Sequence, residues 1–95
     1  MLIKSLAVSL AGRGVRVNGV GPGIIETELT KAGLARPNIR ETLNAKIPLG
    51  RVGLPADVGE AAVFLASDAA RYITGHMLFI DGGILAIQNT WEPPA

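Results

Sequence analysis

Cysteine is absent from this sequence, histidine occurs once, and aromatic side chains make up only 4% of its 95 residues. Without cysteine there can be no disulfide and no thiolate-held metal, and the absence agrees with a reducing cytoplasm, where the chain is expected to reside. His76 alone cannot assemble a metal cluster, so no metal is expected. An excess of one charge is also missing. Nine Lys and Arg residues face eight Asp and Glu residues, giving a formal net charge of +1, and the charges are scattered along the chain. That pattern provides no footprint for nucleic acid or for an anionic membrane surface, and neither partner is expected. What the chain does have is apolar content, at 48%, far too much for a disordered segment. One domain, or part of one, is the reading. An open α/β sheet needs helices on both faces of several strands, and a chain this short is small for that.

The first residues, Met1 to Gly12, superficially resemble a brief secretory signal. Lys4 interrupts the apolar run where a signal would carry its charge ahead of it, and the stretch is too short to cross a bilayer. Read as a helix, it places Leu2, Ile3, Leu6, Ala7 and Leu10 on one face. No Ser, Thr, Asp or Asn precedes it as a cap, so the chain is expected to begin inside the element. The helix is expected to stop at Gly12 and Gly14, where a positive φ is usual.

Val15 to Val20 is rich in β-branched residues and bounded by glycines, which predicts a strand. It runs into Val20-Gly21-Pro22-Gly23-Ile24-Ile25-Glu26-Thr27, a Pro-Gly turn followed by a short segment bearing a threonine. Beyond it, Glu26 to Ala35 and Asn38 to Ala45 carry weak helical patterns split by Gly33 and Pro37. They predict a mobile helical excursion with Leu29, Ala32 and Leu34 as its apolar contacts.

Ile47 to Pro55 is a loop by its glycines and prolines. Pro55 suits the first position of a helix, with Asp57 and Glu60 near its positive end and Val58, Ala61, Ala62 and Leu65 on one face. Ser67 to Arg71 is expected to make one further turn, broken at Thr74-Gly75. Met77-Leu78-Phe79-Ile80 reads as a strand covered on both faces and ended by Asp81-Gly82-Gly83. The order is helix, strand, helical excursion, helix, strand, and two strands joined by so long a crossover are expected to be parallel neighbours with a right-handed connection.

Arg13-Gly14-Val15-Arg16-Val17-Asn18, Pro22-Gly23 with Thr27 four residues on, Ile47 through Val58, Phe64 to Asp68, Thr74-Gly75 and Asp81-Gly82-Gly83, in that order, resemble the short-chain dehydrogenase/reductase family. Each motif is weak alone; the ordered set, from about Leu2 to Gly83, is specific. The resemblance implies an α/β fold, the C-terminal part of a Rossmann-type doubly wound parallel sheet. Residues 1–84 would form that part and 85–95 a tail outside the family pattern. It implies an NAD- or NADP-dependent oxidoreductase that interconverts a carbonyl and a secondary alcohol, of 3-oxoacyl-thioester, sugar or alcohol type, acting as a homo-oligomer on a small molecule.

In that family the turn at Pro22-Gly23 lies at the carboxyl end of a parallel strand, where such sheets place ligands. The resemblance therefore implies that Pro22, Gly23, Ile24 and Ile25 hold the carboxamide of the nicotinamide, and that the Thr27 hydroxyl bonds the carboxamide or a phosphate. Leu29, Ala32 and Leu34 would belong to a lid over the substrate. Gly23 permits close backbone approach, Pro22 shapes the turn without needing a donor, and a hydroxyl at a helix start suits a phosphate. Taken without the family match, the same residues read as a strand-ending turn with Thr27 as a helix cap.

The family's glycine-rich pyrophosphate turn, its catalytic Ser and its Tyr-x-x-x-Lys pair have no counterpart here. Tyr72 has no Lys four residues on, and Lys4 lies past the position where the family's pair falls. No catalytic residue is therefore assigned, and the 95 residues alone are expected to be inactive, with Met1 an internal methionine taken as a start. The alternative is a non-catalytic module that pairs with full-length dehydrogenase subunits.

Remaining polar residues have plainer readings. His76 is expected to be exposed or capping, Arg51 to tie loop carbonyls, Asn18 to satisfy local backbone, and Asp81 to bond backbone in the final turn. Glu26, Glu28 and Lys31 read as a solvated face. Trp91, with Pro93 and Pro94, is expected to pack over a neighbouring subunit or the substrate pocket. The strand at Val15 to Val20 is expected to keep one unpaired edge, which favours aggregation or self-association.

Overall fold

Apolar residues at helical spacing near the N-terminus form α1, Leu2–Ala11, which starts at Met1 without a side-chain cap. A computed structural model describes residues 1–87 of the chain. The other elements are β1 Gly19–Pro22, α2 Lys31–Leu34, α3 Ile39–Lys46, α4 Pro55–Ala66, a single 3-10 turn Asp68–Ala70, β2 Met77–Ile80 and α5 Ile84–Ile87. Among the described residues they group into two compact units, one of Met1–Pro22 with Ala56–Ile80 and one of Gly23–Pro55 with residues 81–87. The tail expected from residue 85 begins inside α5, and Trp91, Pro93 and Pro94 lie outside the described residues.

In the first unit, β1 and β2 are parallel, with Gly19 opposite Met77, Val20 opposite Leu78, Gly21 opposite Phe79 and Pro22 opposite Ile80. The strand expected over Val15 to Val20 is thus displaced toward its C-terminal end. The cause lies across the ladder. Gly75 takes a φ of 75°, which turns the facing backbone out of a strand path. Upstream of Gly19 the two segments are joined by mixed bonds instead: Val17 N–H donates to Thr74 Oγ1 at 3.0 Å and the Val17 carbonyl accepts from Gly75 N–H at 2.8 Å. Asn18 completes the join. Its Nδ2 donates to the Ile73 carbonyl at 2.9 Å and its Oδ1 accepts from His76 N–H at 3.1 Å, so its partners are distant in sequence rather than local. The regular ladder opens with Gly19 N–H on the His76 carbonyl.

α4 begins at Pro55 as its sequence predicts, and it buries Leu65 while half-burying Val58 and Ala61; Ala62 is exposed. A helix end leaves carbonyls without intrahelical partners. Arg16 takes up this end, with Nη1 donating to Leu65 O at 2.8 Å and Ile73 O at 3.2 Å, and Nη2 donating to Ser67 O at 3.2 Å. On α1, Ala7 is buried and Ile3 and Leu10 are half-buried, whereas Leu2 and Leu6 are exposed. Of the two glycines after α1, Gly14 has the positive φ and Gly12 stays in the right-handed region. β2 was expected to be covered on both faces, but Met77 and Phe79 are exposed, Phe79 at 55%. Its apolar run finds cover within this chain for Leu78 and Ile80 only to an intermediate degree.

The second unit packs around Leu34, Ile47 and Val52, all buried, with Ile24, Leu43 and Ile84 against them. Gly33 was expected to split the excursion; it lies inside α2. The break comes at Pro37 and Asn38, where Asn38 takes a left-handed φ of 67° just ahead of α3, a conformation that Asn tolerates better than most residues. Of the three expected apolar contacts, Leu34 is in the core, while Leu29 is 95% exposed and Ala32 is also exposed.

Candidate functional site

The turn singled out in the sequence is built on a short parallel bridge. Ile25 pairs with Gly53, through Glu26 N–H donating to Gly53 O and Gly53 N–H donating to Ile24 O, both at 2.9 Å. In such a pairing the residues flanking Ile25 face Gly53, so the N–H and C=O of Ile25 point the other way. The carbonyl receives the Thr30 hydroxyl at 2.9 Å. The Ile25 N–H has no partner among the described residues, which leaves one directed donor at the half-buried centre of the turn.

Thr27 and Thr30 hold the next step of the chain. Thr27 N–H donates to Thr30 Oγ1 at 2.8 Å, Thr30 N–H donates to Thr27 Oγ1 at 3.3 Å, and the two hydroxyls lie 3.3 Å apart. With the Thr30 hydrogen on Ile25 O, the Thr27 hydroxyl is the group left to donate. This reciprocal pattern is that of a capping box, here with Thr in place of the usual acid. Thr27, with Glu26, Glu28, Lys31, Leu54 and Pro55, also lines a cleft of about 300 Å³.

Pro22 ends β1 opposite Ile80 in the first unit, and Gly23 opens the second. A Cβ on Gly23 would stand 2.7 Å from Asp81 Cβ and 2.8 Å from Asp81 Cα. The close approach that Gly23 allows is therefore to the backbone of Asp81. Asp81 in turn accepts Gly83 N–H on Oδ1 at 2.9 Å and Leu85 N–H on Oδ2 at 3.1 Å, the backbone-bonding role expected of it. Arg51 donates to Val52 O at 3.2 Å, and His76 is exposed, each in keeping with its sequence reading.

Leu29 and Leu34 border one apolar groove of about 360 Å³, shared with Ile24, Ile39, Leu43 and Arg36; Ala32 does not line it. Glu26, expected on a solvated face with Glu28 and Lys31, instead pairs with Arg40. Neither Arg40 nor the Asn44 side chain, which receives Val52 N–H at 3.1 Å, was singled out in the sequence. Nor was Arg16, whose partners are about fifty residues away. The only sequence signal for these was a charge or amide on an otherwise apolar or turn-rich stretch.

Known proteins resemble this chain in sequence and in fold. The family described as Enoyl-(Acyl carrier protein) reductase matches residues 1–85. The chain belongs to the short-chain dehydrogenase/reductase family. It is 48% identical over 84 residues to 3beta-hydroxysteroid dehydrogenase 1 of Eggerthella lenta, covering 88% of this chain and 32% of that protein. It is 49% identical over 82 residues to galactitol 2-dehydrogenase (L-tagatose-forming) of Cereibacter sphaeroides, covering 86% and 32%. A 3-oxoacyl-[acyl-carrier-protein] reductase of Thermotoga maritima is 46% identical over 84 residues, covering 88% and 33%. Among solved structures, an oxidoreductase of the short-chain dehydrogenase/reductase family from Burkholderia thailandensis superposes with a TM-score of 0.82 at 46% identity, over 90% of this chain and 34% of that one. ElxO, solved with NADP bound, gives a TM-score of 0.82 at 36% identity, over 90% and 35%. The chain spans about a third of the length of these relatives. The fold is thus that of a piece of a Rossmann-type short-chain dehydrogenase/reductase, and the family's cofactor is NAD or NADP. Among the described residues, no helix is long and apolar enough to cross a membrane.

Proposed function

We propose that this chain is the C-terminal portion of an NAD- or NADP-dependent oxidoreductase that interconverts a carbonyl and a secondary alcohol, and that its Ile24 to Thr27 turn grips the nicotinamide end of the cofactor. The observation that carries this reading is the Ile25 N–H, held by the Gly53 bridge in a direction where it meets no partner among the described residues. A carboxamide oxygen is the acceptor such a donor suits. The Thr27 hydroxyl supplies a second polar contact beside it, and Pro22 and Gly23 set the path of the chain into the turn. Leu29, Ala32 and Leu34 belong to the excursion that would cover the substrate.

When bound, NAD or NADP accepts or supplies the hydride. The proton that accompanies it needs an acid or base within hydrogen-bond reach of the reacting oxygen. The only tyrosine, Tyr72, is fully exposed and has no lysine four residues on. The chain is therefore a positioning and covering part, inactive alone, that works with an upstream portion bearing the phosphate turn and the phenol–ammonium pair. The relatives named above act on steroid, polyol and acyl-thioester substrates by their descriptions, and this chain is assigned to a small-molecule carbonyl or alcohol. A homo-oligomeric, cytoplasmic enzyme is the setting proposed for it.

The test is a titration of the purified chain with NADP and with nicotinamide, followed at the backbone amides. The Ile25 amide resonance shifts with both ligands if the reading holds. An unmoved Ile25 amide at saturating ligand overturns the assignment of the turn.

A second reading, a non-catalytic module that pairs with full-length dehydrogenase subunits, is favoured by one feature. β1 has a paired neighbour on one side only among the described residues, and Val8, Val63 and Phe79 are exposed in the same unit. Co-purification with a full-length relative, from a gene with a stop codon ahead of Met1, supports this reading over the first.

A further inference from the structure

Resting on the nicotinamide reading of the turn, we infer that Arg40 is a positioning residue for it, acting through Glu26. Glu26 stands between the two groups that the turn presents, the Ile25 N–H and the Thr27 hydroxyl. Its backbone is tied to Gly53 by its own N–H at 2.9 Å, and its side chain is tied to the Arg40 guanidinium. Both side chains are partly shielded, with 28% of Glu26 and 43% of Arg40 exposed. Arg40 lies in the first turn of α3, the second helix of the excursion. α3 is itself anchored: Asn44 Oδ1 near its other end accepts the Val52 N–H at 3.1 Å, one residue before Gly53. The turn, the Val52–Gly53 segment and α3 thus form a closed ring of contacts, in which Arg40 links α3 to the turn.

This arrangement gives α3 a specific task. α2 is joined to the turn by the Thr27–Thr30 contacts and by Leu34 in the core, and it is separated from α3 by the left-handed Asn38. The two helices meet at the core, where Leu43 of α3 packs against the cluster that holds Leu34. α3 is tied to the turn through Arg40, while the exposed Leu29 lies ahead of α2, whose Leu34 sits in the core. Arg40 touches no reacting atom. It restricts Glu26 so that Ile25 and Thr27 keep one orientation.

The experiment measures backbone amide exchange at Ile25, Glu26 and Thr27 in the 95-residue chain, at low micromolar concentration, for Arg40→Ala, Glu26→Gln and the swapped pair Glu26→Arg with Arg40→Glu. Both single variants are expected to speed exchange at Glu26 and Thr27 about two- to fivefold, the range a partly exposed ion pair supports, and the swap is expected to restore it. Glu41→Gln, a neighbour on α3 outside the ring, serves as the control and leaves exchange unchanged. Unchanged exchange in both single variants, or a swap no better than either, overturns the inference. An NADP titration of the same proteins separates this from the nicotinamide reading. If NADP leaves Ile25 unmoved in the unsubstituted chain, the cofactor assignment falls, and Arg40 loses its role as a positioning residue for a cofactor whatever the exchange rates. If NADP moves Ile25 equally in all variants and exchange is also unchanged, only the Arg40 inference falls.

Discussion

Gly23 and Asp81 are in backbone contact so close that a single added methyl at Gly23 would lie 2.7 Å from Asp81 Cβ. Asp81 cannot easily yield, because both its carboxylate oxygens are holding the amides of Gly83 and Leu85. Gly23→Ala is therefore expected to destabilise the chain by about 1–3 kcal/mol, the usual range for overpacking. Urea unfolding of the two proteins side by side checks it, and equal midpoints would show that the contact relaxes freely.

Arg16 makes three bonds to carbonyls at 2.8, 3.2 and 3.2 Å from one planar fork. Lysine keeps the charge but presents a point donor that cannot span them. Arg16→Lys is expected to lose about 1–3 kcal/mol, in line with hydrogen bonds from a charged group, and Arg16→Met to lose at least as much. Thermal unfolding followed by circular dichroism gives the comparison.

Asn18 uses both ends of its amide, Nδ2 on Ile73 O and Oδ1 under His76 N–H. Asn18→Asp keeps the acceptor and removes the donor, placing a carboxylate against a carbonyl. It is expected to be more harmful than Asn18→Ala, which should itself lose about 1–3 kcal/mol through unpaired backbone groups. Chemical denaturation of both variants tests the order, and Asn18→Ala as the worse of the two would contradict it.

Self-association is the fourth expectation. Leu2, Val8, Val63 and Phe79 are exposed and β1 has one paired edge among the described residues, a combination that invites strand or face pairing. Sedimentation of the purified chain should show oligomers or aggregates that grow with concentration. A monomer with a sharp cooperative melt at all concentrations would refute this.

Catalysis gives the fifth. The chain is expected to reduce no carbonyl with NADH or NADPH above a blank, and to oxidise no secondary alcohol with the oxidised cofactors. Measurable turnover by material free of host enzymes would overturn the division of labour proposed above.

Elements whose signals are local were legible from residue order. Pro55 opens α4, Met77 to Ile80 form β2, and Asp81 caps the last turn because each depends on its own few neighbours. β1 was misplaced by the chemistry of its partner: Val15 to Asn18 have strand-forming side chains, but Gly75 bends the facing segment and leaves the ladder to begin at Gly19. The Pro-Gly turn stood out in the residue order, whereas the close contact that Gly23 makes lay with Asp81, nearly sixty positions on. Arg16, Arg40 and Asn44 were silent for the same cause. Their partners are set by folding and leave no mark on spacing.

The reciprocal bonding of Thr27 and Thr30 has a consequence for affinity. A ligand oxygen that claims the Thr27 hydroxyl enters by exchange, displacing a hydrogen bond already made to Thr30, so its net gain is the difference between two similar bonds. The Ile25 N–H has no such competitor among the described residues. On the proposed nicotinamide reading, selection at this turn would fall on the one acceptor that can reach Ile25, and a grip assembled this way would discriminate by direction far more than it would hold by strength.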